Sequence, residues 1–157
     1  IGLGIPAEPL FRSRDGVTID GAGKSRIFIV TGRNITLKNI TFKNGCSIDN
    51  YDNSLNNHGG ALRINPNSGL KIIDCKFTDN TSNENGGAIS IRKAELHVED
   101  TEFDSNSAKE NGIIYNEGGR IEILNSTLLE NTAYKGKRIY NCAGGAVKIT
   151  DSEMHDL

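Results

Sequence analysis

Histidine, cysteine and clustered carboxylates are the residue types in this 157-residue chain that could carry chemistry. The histidines are His58, His97 and His155, the cysteines Cys46, Cys75 and Cys142, and the densest acids Glu99, Asp100 and Glu102. Three widely spaced cysteines make neither a disulfide framework nor a zinc pattern, so they read as small buried apolar residues, with one pair plus a free thiol as the alternative. Calcium takes roughly six to eight oxygen ligands, and the acids lack the Asp-x-Asp spacing of a dedicated loop. They read as a solvated turn. The pairs Gly59-Gly60 and Gly86-Gly87 open no helix and therefore cradle no phosphate. Polysaccharide cleavage needs convergent carboxylates, or carboxylates with Arg or Lys, on one exposed face. Only His97, in register with Lys71 and Glu122, has such neighbours. The expectation is no catalytic residue, no metal and no cofactor, hence no enzyme.

The elements that position these residues follow from an internal repeat, visible when the chain is written in rows of about 26 residues. One bulky apolar residue recurs three places after an Asp or Asn: Phe42, Phe77, Phe103, Leu128 and Met154, at separations of 35, 26, 25 and 26. The residues three before them are Asn39, Asp74, Asp100, Asn125 and Asp151. The long first interval contains a polar segment, residues 46–58, expected to be a surface loop. Within each row the apolar residues alternate, as in Leu70/Ile72, Leu96/Val98, Ile121/Ile123 and Val147/Ile149. Three short strands per row, joined by turns, can bury their apolar faces only by coiling over the row before.

That predicts an all-β fold, a right-handed parallel β-helix of about five to six coils. At roughly 4.8 Å per coil the rod is about 25–30 Å long. Residues 17–157 would form it, and residues 1–16, with Pro6 and Pro9, an N-terminal cap or linker. The marker residues stack as an interior column. Asn80, Asn106 and Asn131, three places later, form a second column that ties coils together and tolerates a left-handed backbone. Gly144-Gly145 copies the first-strand string but aligns with Gly118-Gly119, one turn later in the coil.

Composition agrees. Eighteen Gly and eighteen Asn supply turns and stacking columns, and a net charge of −2 gives no reason to bind nucleic acid. No apolar run reaches the roughly 20 residues of a membrane span. The chain starts without Met, which suggests a mature product or an excised piece, and it stops at Leu157 directly after a coil. Either the natural protein continues or this end docks on a partner or on itself. Sequons at Asn34, Asn39, Asn80 and Asn125 fit a secreted protein. At Asn39 and Asn125 a glycan would not fit if those side chains point inward.

Gly-Gly-Ala plus an aliphatic residue, at Gly59–Leu62 and Gly86–Ile89, occurs with Phe-x-x-Asn, at Phe77–Asn80 and Phe103–Asn106. The combination resembles the repeats of the polymorphic outer-membrane protein family of bacteria. Ile114-Tyr115-Asn116, the Gly118-Gly119 turn and Ile121-x-Ile123-x-Asn125-Ser126-Thr127 resemble the repeats of adhesin-like surface proteins of archaea. Val17–Gly21 and Asn34–Asn39 look like the first coils of that group. The coil pattern is also that of the pectin lyase-like superfamily, which includes carbohydrate-active enzymes. The resemblance implies a secreted or cell-surface module that adheres to cells, matrix or glycans; the alternatives are an assembly scaffold and a fragment of a polysaccharide lyase or hydrolase.

Binding would use outward positions. The second-strand column reads Thr36, Lys71, His97, Glu122 and Lys148, and the first-strand column Arg63, Ser90 and Asn116. Arg63, Lys71, His97, Glu122 and Lys148 are the candidate contact face for a protein or glycan partner.

Overall fold

The structure, a computed structural model, describes residues 10–47 and 57–154. Strand β1 (Leu10–Asp20) leads into a first coil of β2 (Phe28–Val30), β3 (Ile35–Lys43) and β4 (Cys46–Ser47). The second coil carries β5 (Leu62–Ile64), β6 (Gly69–Ile73), β7 (Lys76–Thr78) and β8 (Thr81–Ser82). The third carries β9 (Ile89–Arg92), β10 (Glu95–Glu99), β11 (Glu102–Asp104) and β12 (Ser107–Ala108). The fourth comprises β13 (Ile114–Glu117), β14 (Arg120–Leu124), β15 (Thr127–Leu129) and β16 (Thr132–Ala133). The fifth is β17 (Ile139–Cys142), β18 (Ala146–Thr150) and β19 (Glu153–Met154).

Each strand pairs in parallel with its counterpart one coil away, so the chain is a parallel β-helix of about five turns. The first strands of the coils form one sheet, ordered β17-β13-β9-β5-β2. The second and third strands belong to a single sheet because β3 is long enough to pair with both β6 and β7. Two-residue pairings after the Phe marker add a sheet that the alternation did not predict, β16-β12-β8-β4. Two residues are too few to carry a period-2 signal.

The core is the set of inward columns. Phe42 and Phe77 stack at 4.8 Å between ring centroids, and Phe77 and Phe103 at 4.9 Å with planes 8° apart. All three rings and Leu128 are fully buried. Burying each such side chain contributes roughly 1.5–3 kcal/mol. Beside them runs the asparagine ladder. Asn80 Nδ2 donates to Asn106 Oδ1 at 2.9 Å, and Asn106 Nδ2 to Asn131 Oδ1 at 3.0 Å. The same amides donate to the carbonyls of Phe42 and Phe77, while backbone N–H groups of Asn80 and Asn106 donate to the next Oδ1. In the first coil Gly45 holds the ladder position and donates its N–H to Asn80 Oδ1 at 2.8 Å. A Cβ on Gly45 would lie 2.5 Å from the Gly60 carbonyl oxygen, so the ladder starts where a side chain cannot fit.

The left-handed backbone lies one residue before the ladder, not on it. Asn44, Asp79, Ser105 and Glu130 have φ between 48° and 56°. The Asp/Asn residues preceding the Phe markers also adopt positive φ, from 46° at Asn125 to 56° at Asn39. They form a turn column between the second and third strands, where short polar side chains best tolerate that conformation. Asp74, Asp100, Asn125 and Asp151 are exposed; of the sequon residues Asn39, Asn80 and Asn125, only Asn80 is fully buried.

Two boundaries differ from expectation. The cap or linker expected over residues 1–16 overlaps β1, which pairs with β3 from Leu10 and shifts register between Arg12 and Val17. Residues 1–9 lie outside the described residues. At the expected loop 46–58, Cys46 and Ser47 are buried in β4, and the Asn57 carbonyl accepts from Ser47 Oγ at 2.9 Å and Ser82 Oγ at 2.7 Å. Residues 48–56 lie outside the described residues. The GGA string at Gly144 is out of register as expected, since Arg120 pairs with Ala146 and Ile114 with Ile139.

Candidate functional site

The alternation of the second strands projects every other side chain outward, and the pairing register fixes which ones meet. Thr36, Lys71, His97, Glu122 and Lys148 are consecutive rungs of one column, as the spacing implied. His97 Nδ1 lies 3.4 Å from Glu122 Oε2, and its Nε2 lies 3.3 Å from Glu99 Oε2 on the same strand. Lys148 Nζ donates to Glu122 Oε1 at 2.7 Å. The Lys148 ammonium, with His97 behind it, holds the Glu122 carboxyl below its ordinary range. Glu122 therefore stays ionised and paired, a poor arrangement for a proton donor. A groove of about 320 Å³ borders the column and includes Lys71, Glu95, His97, Arg120 and Glu122 in its walls.

Arg63 does not join this face. It lies on β5, in the sheet of first strands, where its register partners are Ile29 and Ser90. The next rungs there are Tyr115 and Tyr140, not Asn116. Asn116 pairs with Ile91 and points inward, fully buried, where the coils before it have Ile64 and Ile91. Its Oδ1 accepts the Gly119 N–H at 2.9 Å, and its Nδ2 donates to Asn141 Oδ1 at 2.8 Å. An aliphatic-to-Asn exchange in an inward column is the signal that alternation alone reads one residue out of phase.

Around Tyr115 the structure assembles a cluster that sequence reasoning kept apart. Tyr115 and Tyr140 stack at 5.7 Å with planes 5° apart, and His58 meets Tyr115 edge-on at 5.4 Å. His58 Nε2 lies 2.9 Å from Glu84 Oε2. Burial pushes the His58 pKa down, and Glu84 opposes that only in part. Burial pushes the Tyr115 hydroxyl up, assisted by its contact with Cys142. The cluster clamps the returning end of the 46–58 segment to the coil. His155 lies outside the described residues.

The cysteines are free thiols; Cys46 and Cys75 are buried and Cys142 half-buried. Cys75 belongs to a third inward column, with Thr101, Ser126 and Ser152. Thr101 Oγ1 accepts the Cys75 N–H at 3.3 Å, Ser126 Oγ that of Thr101 at 3.1 Å, and Ser152 Oγ that of Ser126 at 3.1 Å. Each hydroxyl donates to the carbonyl two residues earlier. The residue type changes at almost every rung, which hid this column in the sequence. Among the described residues no group of three or more His, Cys, Asp or Glu could hold a metal ion.

No curated protein and no solved structure matches the chain. The Chlamydia polymorphic membrane protein repeat matches residues 74–92. That segment contains Phe77, Asn80 and Gly86-Gly87-Ala88-Ile89: the ring stack, the asparagine ladder and the turn into the first strand. Phe77, Asn80, Ala88 and Ile89 are all fully buried. These residues of the matched span build the coil. Residues 74–92 are similar to the repeat of Chlamydia polymorphic membrane proteins.

Proposed function

We propose that the chain is a non-enzymatic, surface-displayed β-helix module that binds a glycan or protein on cells or matrix through its outward columns. The observation that carries this reading is the contrast within one strand set. The inward rungs of the second strands are aliphatic in every coil, whereas the outward rungs run Lys71, His97, Glu122 and Lys148, changing charge from coil to coil, and are at least partly exposed. A solenoid strand set that is aliphatic inside and variable outside presents an extended contact surface. The repeat match at residues 74–92 supports display at a cell surface. Ionised, paired Glu122 is unsuited to act as a general acid, which agrees with a non-enzymatic reading.

The test compares the chain with a variant carrying Lys71→Ala, His97→Ala, Glu122→Ala and Lys148→Ala in binding to cells and matrix. These positions face outward, so the variant should fold; circular dichroism checks that. The expected result is binding by the parent and a loss of tenfold or more in the variant. Undiminished binding would contradict the reading. Polysaccharide turnover that disappears in His97→Ala or Glu122→Ala would contradict its non-enzymatic part.

A further inference from the structure

Resting on the surface-binding reading, we infer that the ligand is an anionic glycan chain. It would lie along the groove between the first and second strands, held by Arg33, Lys71, Lys93 and Arg120. Two adjoining depressions, of about 320 and 590 Å³, share Asn34, Gly69, Glu95 and Arg120 in their walls and form one continuous trough. Small residues line it where the second strands begin, Gly69 and Ala146 at the starts of β6 and β18 and Gly118 in the turn before β14. Pairing of Gly69 with Glu95, Glu95 with Arg120, and Arg120 with Ala146 sets these side chains on successive coils. One cation stands on each of four successive coils, Arg33 before β3, Lys71 on β6, Lys93 before β10 and Arg120 on β14, so with coils roughly 4.8 Å apart they meet a chain laid parallel to the solenoid axis, not across it.

The charges in the trough are unbalanced. Elsewhere Lys38, Lys76, Lys135 and Lys148 each hold a carboxylate at 2.6–2.9 Å. Among the described residues Lys71, Lys93 and Arg120 have no carboxylate partner, and Arg33 donates to the Asn67 carbonyl at 2.8 Å. The walls include the acids Glu95 and Glu122, the latter already paired with Lys148. On a chain of net charge −2, a trough with four cations against two acids, one of them paired, is a local positive field that concentrates anions. Lys24, Lys109 and Lys137 also lack a carboxylate partner but stand on separate turns.

The nature of the anion follows from what the trough lacks. Protein partners are anchored by aromatic or large apolar side chains that fill a desolvated centre. None of the exposed large hydrophobics, Val17, Phe28, Ile29, Tyr134 and Ile149, lines the trough. Gly69, Gly118 and Ala146 leave room for a chain, and of the larger apolar residues in the walls, Ile35, Leu70 and Leu96, the two leucines are already buried in the core. Guanidinium and ammonium groups recognise carboxylate or sulfate by charge-assisted hydrogen bonds. The shared chemistry is a glycan carrying either group at regular intervals.

The experiment measures binding of the full chain to immobilised heparin, to hyaluronan and to poly-glutamate, at several salt concentrations. Two variants accompany it: Lys71→Gln/Lys93→Gln/Arg120→Gln, and the charge-matched Lys24→Gln/Lys109→Gln/Lys137→Gln. The expected result is glycan binding that falls tenfold or more in the first variant and less than twofold in the second. Binding to heparin alone assigns a sulfated ligand, and equal binding to hyaluronan a carboxylated one. Equal losses in both variants would show a diffuse charge effect and overturn the inference. Preference for poly-glutamate would overturn it in favour of an acidic protein. Cell binding that persists with no glycan binding would overturn the inference while leaving the surface-binding reading intact; loss of both would end both.

Discussion

The third and fifth coils are built from the same pattern, yet one is a finished interior and the other is not. In the third coil Ile89, Val98 and Phe103 are fully buried between neighbours on both sides. In the fifth, the equivalent Ile139, Ile149 and Met154 are half-buried or exposed, because among the described residues only the fourth coil covers them. The pattern therefore supplies surfaces and the neighbour supplies stability, as expected of a nearly one-dimensional stack.

The largest expected effect tests the core. Phe103→Ala should cost about 3–5 kcal/mol, since the ring is fully buried beneath Phe77. Met154→Ala, in the same column one coil beyond Leu128, should cost only about 1 kcal/mol. Urea unfolding measures both, and equal losses would contradict the stacking account. Next comes the polar ladder. Asn106→Ala removes the acceptor of the buried Asn80 backbone N–H, one of the two acceptors of the Asn80 side-chain amide and a donor to the Phe77 carbonyl, and should cost about 2–4 kcal/mol. Asn141→Ala removes a bond to Asn116 at an exposed rung and should cost about 1 kcal/mol.

Smaller effects come from titrating groups. Burial depresses the folded pKa of His58, so its neutral form stabilises the fold. That stabilisation is complete above the unfolded pKa of about 6.5 and is lost as pH falls through the folded value. Stability should drop on acidification below about pH 6.5, and His58→Gln should flatten that part of the profile. The smallest effect is local. Lys148→Met should raise the Glu122 pKa toward the ordinary carboxylate value, read by NMR titration, with no measurable change in global stability.

The inward columns could be read from the sequence because burial and coil spacing restrict them. Phe42, Phe77 and Phe103 repeat in type as well as place, and the asparagine ladder needs one side chain that both donates and accepts at every rung. Where a column can be satisfied by several residue types it disappears from view, as with Cys75, Thr101, Ser126 and Ser152. Asn116 shows the opposite case: a buried amide at an aliphatic position looks like a surface residue. Register gives the outward column Thr36–Lys71–His97–Glu122–Lys148, whereas Arg63, read in the first-strand column, shares a contact face with it only if the two sheets present one surface, and it lies in the other sheet. The trough depends on Gly69, Gly118 and Ala146, whose significance lies in the side chains they lack.

The most direct test of the stacking account is native-state hydrogen exchange followed amide by amide along the second strands. Opening free energies should be highest and similar for β10 and β14, where each strand has a neighbour on both sides, and clearly lower for β18. Uniform protection from β10 through β18 would contradict the claim that each coil takes its stability from the coils that flank it.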